Sequence, residues 1–234
     1  MNFINQIKDA IKYTFRDWKA IVLLGIILCL ASTFEEWQTN DSLTAIILAV
    51  IIIALALIEE GYRYKIIKGT IKGDNKPPII GNFSRLIHEG FLETVTLLAY
   101  SAVFLVIVVL YNTLVEIPGV SYIYPIIMLI LAVIIYLTAL GFAIYKALHN
   151  DNFFSAFNIL GILKLYTKLG IMQTIFLIIV GSISLNLIFT CVLHLGIFEP
   201  GKFLEFILSF FINPILLLFI TRLLALSGKE ATLS

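Results

Sequence analysis

The chain has 234 residues, of which 60% are hydrophobic and 13% charged, with sixteen Lys and Arg against fifteen Asp and Glu. Soluble domains carry roughly 25% charged residues and about 45–50% apolar ones, so this composition excludes a separate aqueous domain and predicts one integral membrane domain over residues 1–234. The near-zero total charge says little, because in a membrane protein the distribution of charge along the chain holds the information.

Residues 3–18 form the first predicted element. Phe3, Ile4, Ile7, Ile11, Phe15 and Trp18 recur at helical spacing opposite Lys8, Lys12 and Arg16, the pattern of an amphipathic helix lying in the membrane interface. A first span follows at 20–34, its short apolar run extended by Trp18 and Lys19, whose polar ends reach water. The leader is amphipathic and carries Asp9 and Asp17, which argues for a retained span and against a cleaved signal peptide.

The second span, 42–58, contains no charge, and such runs of about 17–25 apolar residues suffice to cross roughly 30 Å of hydrocarbon. The stretch EEGYRYKIIKGTIKGDNKPP follows it directly. If the helix continues past Gly61, Lys65, Lys68 and Lys72 share one narrow arc while Tyr62, Ile66, Ile67 and Ile71 cover the opposite side. This continuation is expected to bend near Gly69, lie on the cytoplasmic surface and end at Gly73, ahead of Pro77 and Pro78. Arg63, Lys65, Lys68, Lys72 and Lys76 are candidate residues for binding anionic lipid headgroups, each contributing about 1 kcal/mol at most; the alternative is that they only set orientation during insertion.

A second interfacial helix is expected at 82–93, with Asn82 as N-cap and Phe83, Leu86, Ile87 and Phe91 on its apolar side. Spans follow at 94–115 and 122–145. A third interfacial helix is expected at 151–168, with a narrow polar stripe of Asp151, Ser155, Asn158, Lys164 and Lys168, followed by spans at 170–195 and 203–226. The predicted fold is thus all-α: a polytopic membrane protein with six transmembrane helices arranged as three hairpins, each preceded by an interfacial amphipathic helix. Triplication of one unit would give this arrangement, and so would any six-span chain with both ends on one side.

Charge sorts the connections. The segments before span one, between spans two and three and between four and five hold most of the basic residues, Arg222 and Lys229 close the chain, and only Lys202 is left for the other side. The alternate loops carry Glu35, Glu36, Asp41, Glu116 and Glu199. By the positive-inside rule the protein is a multi-pass cell-membrane protein with cytoplasmic N- and C-termini.

IKYTFRDWK before the first span, GYRYKIIKGTIKGDNKPP after the second and FSRLIHEGFLETV leading into the third together resemble the domain of unknown function 4013 family, archaeal integral membrane proteins. The likeness is fullest from Ile11 to about Leu110, with FITRLL near the end adding to it; Pro77 stands where the family has an aliphatic residue. The resemblance implies a membrane location and brings no established activity.

No Walker motif, nucleophile elbow, HExxH or dinucleotide fingerprint is present, so the chain is not expected to be an enzyme or to bind a cofactor. His88, His149 and His194 are scattered, and Cys29 and Cys191 lie inside predicted spans without metal-ligand spacing. The basic residues border spans and cover no folded face, which argues against nucleic acid. Within the spans, Asn186, Asn213 and Pro214 are the polar or helix-breaking candidates; they serve interhelical hydrogen bonding worth about 0.6 kcal/mol or a kinked, coordinating pocket. No wholly buried acidic residue is expected. Two function classes remain: a lipid-interacting, membrane-organising or accessory protein, alone, as a homo-oligomer or with a membrane-protein partner, and a small transporter or lipid-translocating protein with a pathway between hairpins.

Overall fold

The structure, a computed structural model, describes residues 3–36, 41–116, 123–170, 173–176, 178–179 and 206–233. Every regular element among them is helical. In chain order these are α1 (Phe3–Thr14), α2 (Trp18–Glu36), α3 (Ser42–Lys72), α4 (Phe83–Glu116) and α5 (Ile123–Leu148). A 3₁₀ turn (Phe153–Phe157), α6 (Ile159–Leu169), a π turn (Leu208–Ile212) and α7 (Asn213–Leu233) complete the order.

Among the described residues, four stretches are long and apolar enough to cross a membrane: Ser42–Lys72, Phe83–Leu114, Ile123–Leu148 and Leu208–Ala231. Trp18–Ala31 is a shorter apolar stretch. The predicted span 170–195 lies mostly outside the described residues, as does Asn186.

Local chemistry sets the boundaries. Asp17 separates α1 from α2, its carboxylate accepting from the Lys19 amide at 3.1 Å. Asp41 caps α3 through the Thr44 amide. At the far end Gly73 takes a left-handed conformation (φ 100°) and returns its N–H to the last turn, the geometry that glycine adopts without a Cβ clash. The helix therefore stops at the predicted residue and runs unbroken from the apolar span through the basic stretch.

Two expectations are corrected. The interfacial helix placed at 82–93 is not separate from the following span: both belong to the single 34-residue α4. A buried stripe of Leu86, Gly90, Glu93, Tyr100 and Ile107 runs along it at helical spacing, so no break is needed to seat its first turns against α3. The segment 151–168, expected as one helix, is divided at Asn158, whose side chain accepts from the Gly161 amide to start α6.

Helices α3 and α4 cross closely. A Cβ at Gly61 would overlap the Leu86 carbonyl, and one at Gly90 the Leu57 carbonyl, so two residues lacking side chains permit backbone-to-backbone approach. Toward their apolar ends α3, α4 and α5 are largely exposed, with Ile46, Val50, Leu98, Leu105, Ile126 and Leu129 all turned outward. At the basic ends the same helices are packed by α7, whose Leu217, Leu218, Leu223, Leu224 and Ala225 are buried. Its neighbours include Ala10 of α1, Ile67 of α3, Ile144 of α5 and Leu165 of α6.

The π turn immediately precedes Pro214: the Asn213 amide reaches back to the Leu208 carbonyl. Proline supplies no amide to the helix that follows, and the wider turn takes up the change of register. Gly25 of α2 lies directly against the Phe210 carbonyl of this turn.

Candidate functional site

The basic stretch is largely engaged within the chain. Arg63 donates to Glu60 at 2.6 Å, Lys65 to the Ile79 carbonyl at 2.9 Å, and Lys68 pairs with Asp151. Lys72 and Lys76 are exposed. The loop after Gly73 folds back on α3, with Pro77 buried and Tyr62 donating its hydroxyl to the Pro78 carbonyl at 3.0 Å.

Beside it stands Arg222, which α7 places inside the protein with its side chain 4% exposed. It donates to Asp9 of α1 at 2.9 and 3.0 Å, to the Thr70 hydroxyl at 3.1 Å and to the Asp74 carbonyl at 2.6 Å. Its guanidinium lies 4.3 Å from the centre of the Tyr13 ring. One planar, permanently charged group thus joins three segments by directed donors, a task for which arginine is suited and lysine is not. Gln6 adds a second tie between α1 and α7 by accepting from Ser227 at 3.0 Å.

A second polar group lies between α3, α4 and α5. Glu93 and Lys146 form an ion pair whose side chains are 4% and 3% exposed, so an acidic residue is in fact wholly buried, against expectation. The Lys146 ammonium also sits 4.2 Å from the centre of the Tyr64 ring, and the Tyr64 hydroxyl donates to Asp151 at 2.6 Å. A continuous relay of contacts therefore runs Glu93, Lys146, Tyr64, Asp151, Lys68. Burial alone would raise the Asp151 carboxyl, but hydrogen bonds from Lys68 and Tyr64 outweigh it and hold the group below the usual carboxylate range.

Next to this relay a cavity of about 440 Å³ opens between α3, α4, α5 and α7. Glu60, Arg63, Tyr64 and Glu93 line one end; aliphatic and aromatic side chains line most of the rest, with Ser101 and Thr221 among them. Asn213, which is half-buried, and Pro214, which is buried, do not line it.

The first helix has three distinct faces. Gln6, Ala10, Tyr13 and Thr14 are buried against the protein, a stripe of polar or small groups. Ile4 and Ile11 form its exposed apolar face, which exposed Phe15 of the junction and Trp18 of α2 extend, and Lys8, Lys12, Arg16 and Lys19 are exposed along the same stretch. A soluble amphipathic helix buries its apolar stripe in the core; here Ala10 and Tyr13 join the core, with Phe3 and Ile7 packed against it, while a second apolar set stays outward.

Sequence reasoning overlooked Glu93, Lys146 and Arg222 as site residues. The available signal was Arg222 itself, a charge within the apolar run 203–226, and charges in such runs are expensive unless they pair or serve a function.

No curated protein and no solved structure matches this chain. Residues 44–198, more than half of the chain, match the family described as protein of unknown function (DUF4013), as the resemblance of the basic stretch implied, and the chain belongs to that family.

Proposed function

We propose that this is a lipid-interacting, membrane-organising protein that grips the headgroup region of the leaflet at its basic end. The observation that carries this reading is the surface of α1 and its junction with α2: α1 docks through Gln6, Ala10, Tyr13 and Thr14, while Ile4 and Ile11 of α1, Phe15 of the junction and Trp18 at the start of α2 stay outward beside four basic residues. An interfacial helix binds by sinking its apolar face below the headgroups and keeping its cationic face among them. Near an anionic leaflet each basic side chain adds about 1 kcal/mol. Exposed Phe83, Phe154 and Leu160 at other segments near the same end extend the apolar surface. In this reading Lys72 and Lys76 reach lipid, while Arg63, Lys65 and Lys68 chiefly shape the protein. In this reading the end rich in basic residues lies on the cytoplasmic side of the cell membrane, as the positive-inside bias favours, and the chain crosses six times in three hairpins.

The test is depth-resolved quenching. The chain has two tryptophans, so Trp37→Phe leaves Trp18 as the single reporter. In vesicles, lipids brominated near the start of the acyl chain should quench Trp18 strongly. Quenching by aqueous iodide with none from brominated lipid would overturn the reading.

A lipid-translocating pathway is the second reading, and the cavity between α3, α4, α5 and α7 is the observation in its favour. Loss of fluorescent-lipid asymmetry in vesicles containing the purified protein, at a rate abolished by filling the cavity, would establish it over the first.

A further inference from the structure

The cavity wall has two chemically different halves. Glu60, Arg63 and Glu93 stand at one end. The Arg63 guanidinium bonds Glu60, and Glu93 is matched by Lys146 behind it. That end therefore presents both signs of charge with no net excess. Leu97, Phe104, Ile135 and Leu140 make the remainder mostly apolar, interrupted by the uncharged Tyr100, Ser101, Tyr136 and Thr221. At about 440 Å³ the space falls within the ~300–1,000 Å³ of ordinary ligand sites. That is room for about one hydrocarbon chain and not for two, so a second chain stays in the bilayer. Ser101 and Phe104 on the cavity wall are exposed, on the part of α4 where the surrounding apolar side chains also face outward.

We propose that this cavity holds one acyl chain of a zwitterionic phospholipid drawn sideways from the surrounding bilayer, its phosphate on Arg63 and its ammonium on Glu60. The proposal rests on the lipid-interacting reading and names the lipid class for a specific site. Arginine carries five N–H donors, and one of its nitrogens is engaged by Glu60, so phosphate binds without releasing the carboxylate. A zwitterion repeats the alternation of charge already present on the wall. An anionic headgroup gains Arg63 but brings no cation for Glu60, so it matches only half of the wall's charge pattern.

The experiment uses the full chain in detergent micelles, titrated separately with dioleoyl phosphatidylethanolamine and dioleoyl phosphatidylglycerol and read by native mass spectrometry. One phosphatidylethanolamine should be retained about tenfold more tightly than phosphatidylglycerol, equivalent to roughly 1.4 kcal/mol. Ser101→Trp, which fills the cavity from its exposed side, should abolish retention of that lipid, and Ala139→Phe from the facing wall should do the same. The Glu60→Gln, Arg63→Gln double variant should bind both lipids equally. Thermal unfolding without added lipid establishes which variants are folded. Equal or tighter retention of phosphatidylglycerol by the unaltered protein overturns the proposal, as does undiminished retention in folded variants with a filled cavity. Trp18 quenching with no such lipid preference leaves the interfacial reading standing and removes this site; a retained lipid with Trp18 in water does the reverse.

Discussion

Glu93→Gln should be among the most damaging single substitutions in this protein. The change keeps shape and hydrogen-bonding capacity but leaves the Lys146 ammonium, with its side chain 3% exposed, without a counter-charge. Removing one partner of a buried ion pair costs about 3–5 kcal/mol, because desolvation of the survivor is no longer offset. The Tyr64 ring already contacts Lys146 and so supplies no new compensation. For a chain of this length each kcal/mol lowers the melting temperature by about 2–4 °C, giving an expected loss of about 6–20 °C in detergent. The double variant Glu93→Leu, Lys146→Met removes both charges and should lie between neutral and about 1–4 kcal/mol more stable than the original. A Glu93→Gln protein within about 0.5 kcal/mol of the parent, the range of ordinary surface changes, would refute the reasoning. So would a double variant that is less stable than the single one.

Gly61→Ala should destabilise by about 1–3 kcal/mol through overpacking, since its Cβ meets backbone of α4, whereas Gly81→Ala, with open space around it, should leave thermal unfolding unchanged. Asp151 has a folded pKa held below its ordinary value; its contribution is complete above the unfolded pKa of roughly 3.9 and is lost as pH falls through the lower folded value. The melting-temperature gap between the parent and Asp151→Asn should therefore be open at pH 7 and close on acidification below about pH 4. Cysteines introduced at Asn40 and Asn75, in a background lacking Cys29 and Cys191, should label from opposite sides of sealed cells, Asn40 from outside; labelling of both from outside would refute the six-span arrangement.

Features fixed by local chemistry were legible in the sequence. Gly73 ends α3, Asn82 stands directly before α4, and the chain loosens at Pro214, because glycine, asparagine and proline act on the backbone within a few residues. The apolar repeat of α1 was legible too, but its orientation was not: periodicity shows two faces and does not say which one the protein keeps. The buried charges were missed for a specific reason. Spans were bounded at charged residues, so Glu93 and Lys146 became end markers by construction, although each belongs to a helix that continues past it. Arg222 and Asp9 are 213 positions apart, and no local pattern announces their meeting.

That separation has a consequence for biosynthesis. At roughly 5–20 residues per second, about 10–40 s pass between the making of Asp9 and the arrival of Arg222. Throughout that interval Gln6 lacks Ser227 and Asp9 lacks its guanidinium, so the docking face of α1 waits uncovered. The nascent bundle of α2 to α5 must meanwhile hold Glu93 and Lys146 together without the cover of α7. A ribosome stalled before α7 should accordingly display an intermediate in which proteases reach the α1–α2 junction, and release of the full helix should seal it.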